Sequence, residues 1–123
     1  MLIKEGKIKL SDLGASKSYQ NNEARTFCGT PQTLAPEVLA DENKIQGPYS
    51  DLFSIGVILF ILLFDGRLPF PDEHLKKLEA IEKSHIKFEF TTEKDSIYKL
   101  TKEHIDLFKH LLNFSTEKRM TME

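Results

Sequence analysis

Asp12 closes a stretch, Lys7-Ile8-Lys9-Leu10, that alternates polar and apolar residues with period two, and Gly14 follows it by two positions. A carboxylate at a strand end, backed by a glycine that lets the chain turn sharply, can present an oxygen ligand to a hard cation such as magnesium. The same three residues, Asp12-Leu13-Gly14, also suit a plain strand-to-loop turn, so their meaning depends on what lies downstream. Downstream stand Cys28-Gly29-Thr30-Pro31, Ala35-Pro36-Glu37 and Asp51-Leu52-Phe53-Ser54-Ile55-Gly56. Asp51 follows Ser50, a residue type that caps helices, and a carboxylate there favours the positive end of the helix dipole. Cys28 has no neighbour that marks it as a nucleophile. The histidines 74, 85, 104 and 110 form no metal-ligand pattern, since His104 and His110, six apart, point to different helix faces.

The elements that must position these groups read as mainly α. Leu2-Ile3 and Lys7 to Leu10 form a hairpin around a turn at Lys4-Glu5-Gly6. From Ser11 to Leu34 no period persists, and the polar clusters Ser16-Lys17-Ser18 and Gln20 to Glu23 read as a long loop of functional type. Pro36 to Ala40 is a short helix opened by proline, and Asp41 to Pro48 is another loop. Ser50 then caps a helix that runs to about Phe64, where Asp65-Gly66 stops it. The second half of that helix is apolar on every face, the pattern of a helix at the centre of a larger domain. A helix from about Asp72 to Ser84, an irregular stretch to residue 100, and a helix capped by Thr101 with Ile105, Phe108, Leu111 and Leu112 on its buried stripe complete the reading. Thr121 can cap one more.

Composition excludes several classes. The 123 residues are 40% hydrophobic, enough for one ordinary domain with a core. A net charge of -2 gives no strong attraction to nucleic acid or to an anionic membrane. The longest apolar run, Ile55 to Phe64, is too short to cross a bilayer, and no signal peptide is visible. A single cysteine forbids an internal disulfide and fits a reducing compartment, and the lack of a visible targeting segment is the ground for expecting an intracellular location, in cytoplasm or nucleus.

The order and spacing of Asp12-Leu13-Gly14, Gly29-Thr30-Pro31, Ala35-Pro36-Glu37 and Asp51-x-Phe53-Ser54-x-Gly56 resembles the activation segment and following helix of a eukaryotic serine/threonine protein kinase. The resemblance implies a partial kinase C-terminal lobe (C-lobe), with a β-hairpin over 1–11, an activation segment over 12–37 and a truncated helical part over 38–123. It implies that Asp12 holds magnesium against the phosphates of ATP, with Gly14 as its turn residue. Thr30 resembles the residue that approaches the catalytic aspartate on the platform for the peptide substrate. Glu37 should be buried and so needs a cation, and Arg119, in Glu117-Lys118-Arg119-Met120-Thr121, matches the family's late arginine, whose planar fork grips a carboxylate with two bonds. In the family the equivalent of Asp51 anchors the catalytic loop; here it is left as a helix cap. Thr26, beside Arg25, matches a common phosphorylation point, with Ser16, Ser18 and Tyr19 as weaker candidates. Leu13 replaces the usual phenylalanine, Phe53 a tryptophan and Thr33 a common aromatic. Asp-Leu-Gly-Ala-Ser-Lys, Arg-Thr-Phe-Cys-Gly-Thr-Pro and Leu-Ala-Pro-Glu-Val-Leu look most like the checkpoint-kinase branch of the calcium/calmodulin-dependent group.

Other kinase motifs do not occur in these 123 residues: no Gly-x-Gly-x-x-Gly, no His-Arg-Asp, no strand lysine followed by a helix with its glutamate. The expectation is a fragment of a serine/threonine kinase that uses ATP and magnesium in its intact parent, binds neither stably alone and is inactive as an isolated chain. The alternative is a non-catalytic, pseudokinase-like interaction module whose partner is a kinase or a protein substrate; an unrelated small helical domain would part Glu37 from Arg119.

Overall fold

The computed structural model describes residues 2–16, 29–40, 47–70 and 100–121. Strands β1 (Leu2–Lys4) and β2 (Lys7–Lys9) pair antiparallel, with Leu2 opposite Lys9, Ile3 opposite Ile8 and Lys4 opposite Lys7. Glu5 and Gly6 alone reverse the chain, at φ 53 and 71. Two positive φ values in a two-residue loop match the twist of the flanking strands, which leaves Lys4 to β1 rather than to the turn. Ile3 and Ile8 face each other across the ladder and, like Leu10, stay exposed.

Short 3₁₀ turns at Leu13–Ala15 and Pro31–Thr33 lie at the two described ends of the long segment between hairpin and helices. Helix α1 (Pro36–Ala40) opens on proline, whose missing N–H costs nothing at a first helical position. Helix α2 (Pro48–Leu63) also opens on proline, with Gly47 as its N-cap at φ -114 and ψ 179. Ser50 is therefore inside the first turn and not the cap. Proline's fixed φ starts the helix early, and the Ser50 hydroxyl is free to bind elsewhere. At the other end Asp65 and Gly66 adopt φ 53 and 78, and the Gly66 N–H donates to the Ile61 carbonyl at 2.9 Å, closing the helix in a left-handed C-terminal motif.

Helix α3 (Lys102–Leu111) crosses α2 at Gly56. A Cβ placed on Gly56 would sit 2.9 Å from Leu111 Cβ and 2.9 Å from Leu112 Cδ2, so only glycine allows this approach. Around that contact Phe53, Val57, Phe64, Phe108 and Leu112 are buried. Phe60 stacks on Phe64 at 4.1 Å, and Phe108 meets Phe60 edge-on at 5.6 Å. A second aromatic group joins Phe53, Phe70 and Phe114, with centroids 5.1 to 6.1 Å apart, so Phe70 of the Leu68-Pro69-Phe70-Pro71 connector belongs to the core. Among the described residues α2 is buried along one side, while Ile55 and Leu62 are 49% and 57% exposed. Its second half carries more apolar faces than these neighbours cover.

Among the described residues no helix is long and apolar enough to cross a membrane. The expected helix at 72–84, the loop residues Ser18, Tyr19, Thr26 and Cys28, and the loop at 41–46 lie outside the described residues.

Candidate functional site

Arg119 is 2% exposed and sits at the meeting point of three chain segments. The turn after α3 delivers it. Asn113 Oδ1 accepts from the Ser115 N–H at 3.0 Å, and the Ser115 carbonyl accepts from the Lys118 and Arg119 N–H groups at 3.2 and 3.1 Å. The Met120 N–H then donates back to the His110 carbonyl at 3.2 Å, so the turn folds against the helix it leaves. Held this way, the guanidinium donates from Nη1 to Glu37 Oε1 at 2.7 Å and from Nη2 to Glu37 Oε2 at 2.9 Å. Nη1 also donates to the Tyr49 carbonyl at 2.8 Å and Nε to the Asn113 carbonyl at 2.9 Å. Its Cζ lies 5.0 Å from the centroid of the Phe53 ring, within cation–π reach.

Glu37, in the first turn of α1, thus receives a two-bond fork from a residue 82 positions away. The Ser50 hydroxyl donates to Glu37 Oε1 at 3.0 Å, the bond that takes it away from any capping role. Burial works against the charge on Glu37. The Arg119 hydrogen bonds, the carboxylate's own backbone N–H, the Arg119 charge and the Ser50 hydroxyl outweigh it and hold the carboxyl below the ordinary glutamate value. No buried side-chain nitrogen or oxygen among the described residues lacks a partner. A buried ion pair whose polar atoms all have partners is costly to break, because the survivor keeps its desolvation penalty. The node ties α1, the start of α2 and the turn after α3 into one unit.

A second link reaches upstream. The Ser54 hydroxyl on α2 donates to the Thr33 carbonyl at 2.8 Å, while the Thr33 hydroxyl and N–H both donate to the Thr30 carbonyl at 2.9 Å. Thr30 itself is exposed, and its hydroxyl is unpaired among the described residues. Gly29 before it takes φ 126, a region that side chains avoid.

Asp12 is exposed, in the left-handed region at φ 62 and ψ 69, and makes no hydrogen bond or ion pair among the described residues. Gly14 lies in the 3₁₀ turn that follows, where an added Cβ would meet Asp12 Oδ1 at 3.5 Å. The described residues contain no cluster of three or more acidic, histidine or cysteine side chains that could hold a metal ion, so Asp12 offers a single carboxylate. Magnesium is commonly bound by one or two carboxylates together with phosphate oxygens and water, so this donor fits a share of such a site. Asp51 lies in the first turn of α2 with no capping bond, and partial desolvation pushes its carboxyl above the usual value. The structure therefore brings Glu37 and Arg119 together, and shows no bond joining Asp12, Thr30 or Asp51 to that pair.

Residues 1–123 match the protein kinase domain family over their whole length. The chain belongs to that family. Relatives include human testis-specific serine/threonine-protein kinase 1, 36% identical over 129 aligned positions that cover 100% of this chain and 33% of the relative. Rat RAC-beta serine/threonine-protein kinase is 42% identical over 72% of this chain and 18% of its own length. The CBL-interacting serine/threonine-protein kinase 15 of Arabidopsis thaliana is likewise 42% identical over 72% of this chain and 22% of its own. This kinase-family chain thus spans a third or less of the length of these relatives.

Two members of the node leave no mark in the sequence. The Tyr49 and Asn113 carbonyls are backbone acceptors, and any residue type supplies one. Ser50 was detectable only as a helix-start residue, and the acid that claims its hydroxyl lies thirteen positions away.

Proposed function

We propose that the chain is part of the C-lobe of a serine/threonine protein kinase, that residues 12–37 are its activation segment, and that the intact parent moves the γ-phosphoryl group of ATP to a hydroxyl of a protein substrate. The observation that carries this reading is the buried two-bond fork between Glu37 and Arg119, which braces the Thr30-to-Glu37 segment against α2. On this reading Asp12, exposed and unpaired among the described residues, supplies one oxygen ligand to magnesium. When bound, that ion neutralises charge on the phosphates during transfer. Thr30 presents its free hydroxyl where the substrate lies, Gly14 turns the chain behind Asp12, and Thr26 is the point at which an added phosphate orders the segment. The motif residues favour the checkpoint-like branch of the calcium/calmodulin-dependent group, and the lone cysteine favours a reducing compartment of the cell.

The test uses the full-length kinase that contains this chain. Asp12→Asn should lower kcat by on the order of a hundredfold or more while leaving thermal stability unchanged, as expected when one electrostatic partner of the reacting group is lost. A variant with parental kcat overturns the assignment.

A second reading has its own support. Ile3, Ile8 and Leu10 on the hairpin and Ile55 and Leu62 on α2 are exposed apolar side chains, the kind of surface an interaction module offers. On that reading the chain binds a kinase or a substrate without catalysis.

A further inference from the structure

His104 occupies the third position of α3, and its Nδ1 lies 3.1 Å from the backbone nitrogen of Thr101 and 3.1 Å from Thr101 Oγ1. A backbone N–H can only donate, so in this geometry Nδ1 is the acceptor and the ring proton resides on Nε2. The position is ordinarily filled by glutamate or glutamine, whose acceptor oxygen survives across the neutral range. An imidazole acceptor is lost once the ring takes up a proton, because both ring nitrogens then donate.

We propose that His104 makes the N-terminal end of α3 a pH-sensitive cap, closed while the imidazole is neutral and open once it is protonated. Protonation acts twice in the same direction. It sets an N–H against the Thr101 N–H, and it brings positive charge to the positive end of the helix. The Thr101 O–H proton goes to the Glu103 carboxylate, so Oγ1 accepts from Nδ1 only once the ring is protonated; that new bond offsets part of the loss, while the backbone N–H loses its partner. Among the described residues, the charged neighbours on the same turn are Glu103 and Lys102. Glu103 is adjacent, attracted to His104, and its carboxylate is held by the Thr101 side chain, so it offsets part of the new charge. Lys102 on the same turn adds to it. On α2, the residues packed on α3 through Phe108 are Phe60 and Phe64, which carry no charge. The buried residues Phe108 and Leu111 hold the far half of α3, which confines the opening to its first turn.

The test is nuclear magnetic resonance of the whole chain between pH 5 and 8, read at two places. The ¹⁵N shifts of His104 should show the Nε2–H tautomer at high pH. Exchange protection of the Thr101 amide, corrected for the intrinsic pH dependence of exchange, should fall about three- to tenfold as the imidazole protonates, the range expected for a lost cap. His104→Gln supplies an acceptor that does not titrate and should hold that protection level across the range. An Nδ1–H tautomer at high pH, or an unchanged fall in His104→Gln, overturns the proposal.

Discussion

At the scale of single residues, Glu37 and Arg119 decide how the molecule responds to mutation and to acid. Removing either partner strands a charge in a buried site, so Glu37→Ala and Arg119→Ala should each destabilise the chain by about 3–5 kcal/mol in urea denaturation. The double variant should recover a large part of that loss, because no unpaired charge remains. Arg119→Lys should rescue little, since a lysine ammonium cannot reach Glu37 Oε1, Glu37 Oε2, the Tyr49 carbonyl and the Asn113 carbonyl from one planar group. The same pair sets an acid limit. The Glu37 carboxyl lies below its ordinary value in the folded chain, so its contribution is fully present above the unfolded value of about 4.3. It is lost as pH falls from there through the folded value. Acid titration of stability should therefore steepen below about pH 4.3, and Glu37→Gln should flatten that slope while lowering stability at pH 7. An acid slope identical in the variant would remove Glu37 from the account. How much of this was legible follows from the chemistry. The two ends of the fork are side chains with charges, and the sequence names both. The carbonyls of Tyr49 and Asn113 carry no side-chain mark, and Ser50 reads as a cap although Pro48 starts the helix ahead of it and its hydroxyl goes to Glu37.

At the scale of elements, the contact between α2 and α3 turns on the absence of a side chain. Gly56 lets Leu111 and Leu112 reach the α2 backbone, and a methyl group there would approach both at 2.9 Å. The obstructing atoms include Leu111 Cβ, which is tied to its own backbone, so the clash is relieved only by shifting the helices. Gly56→Ala gains about 1 kcal/mol of helix propensity at an interior position. Overpacking typically costs about 1–3 kcal/mol, and the rigid neighbour places this site in the upper half of that range. The expected result is a net loss of stability in thermal or urea unfolding, although the same change in an exposed helix would stabilise. A neutral or stabilising outcome would mean that the helices separate more easily than this geometry allows. Periodicity makes α3 readable: of the expected stripe Phe108, Leu111 and Leu112 are buried and Ile105 is half-buried, and Thr101 precedes it. The start of α2 is harder, because Pro48 and Ser50 both announce helix beginnings and the proline, lying first, prevails. The cap by His104 is invisible to a rule that looks for glutamate or glutamine at that place. The hairpin was readable from alternation alone, but its turn is one residue tighter because Glu5 accepts positive φ.

At the scale of the whole molecule, the question is what 123 residues of a kinase domain can do by themselves. Phosphoryl transfer draws almost all its acceleration from positioned charge: a lysine and a glycine-rich cover on the phosphates, two metal-binding side chains and a base beside the acceptor hydroxyl. Of these groups the chain supplies one candidate, the exposed carboxylate of Asp12. A single carboxylate in water binds magnesium weakly, and the described residues contain no group of three or more acidic, histidine or cysteine side chains to hold the ion. Ligand binding raises stability only as RT ln(1 + [L]/Kd), about 0.4 kcal/mol when the ligand concentration equals Kd. The isolated chain should therefore show no shift in Tm with millimolar Mg-ATP, and no transfer of labelled phosphate to a serine or threonine peptide above a boiled control. Two variants make the result interpretable. Asp12→Asn should behave like the parent in both assays, since there is no binding to lose, and Glu37→Ala should lower Tm equally with and without Mg-ATP. A Tm rise of several degrees that Asp12→Asn abolishes would show instead that this segment builds a nucleotide site by itself, and would refute the expectation that the isolated chain does not bind Mg-ATP.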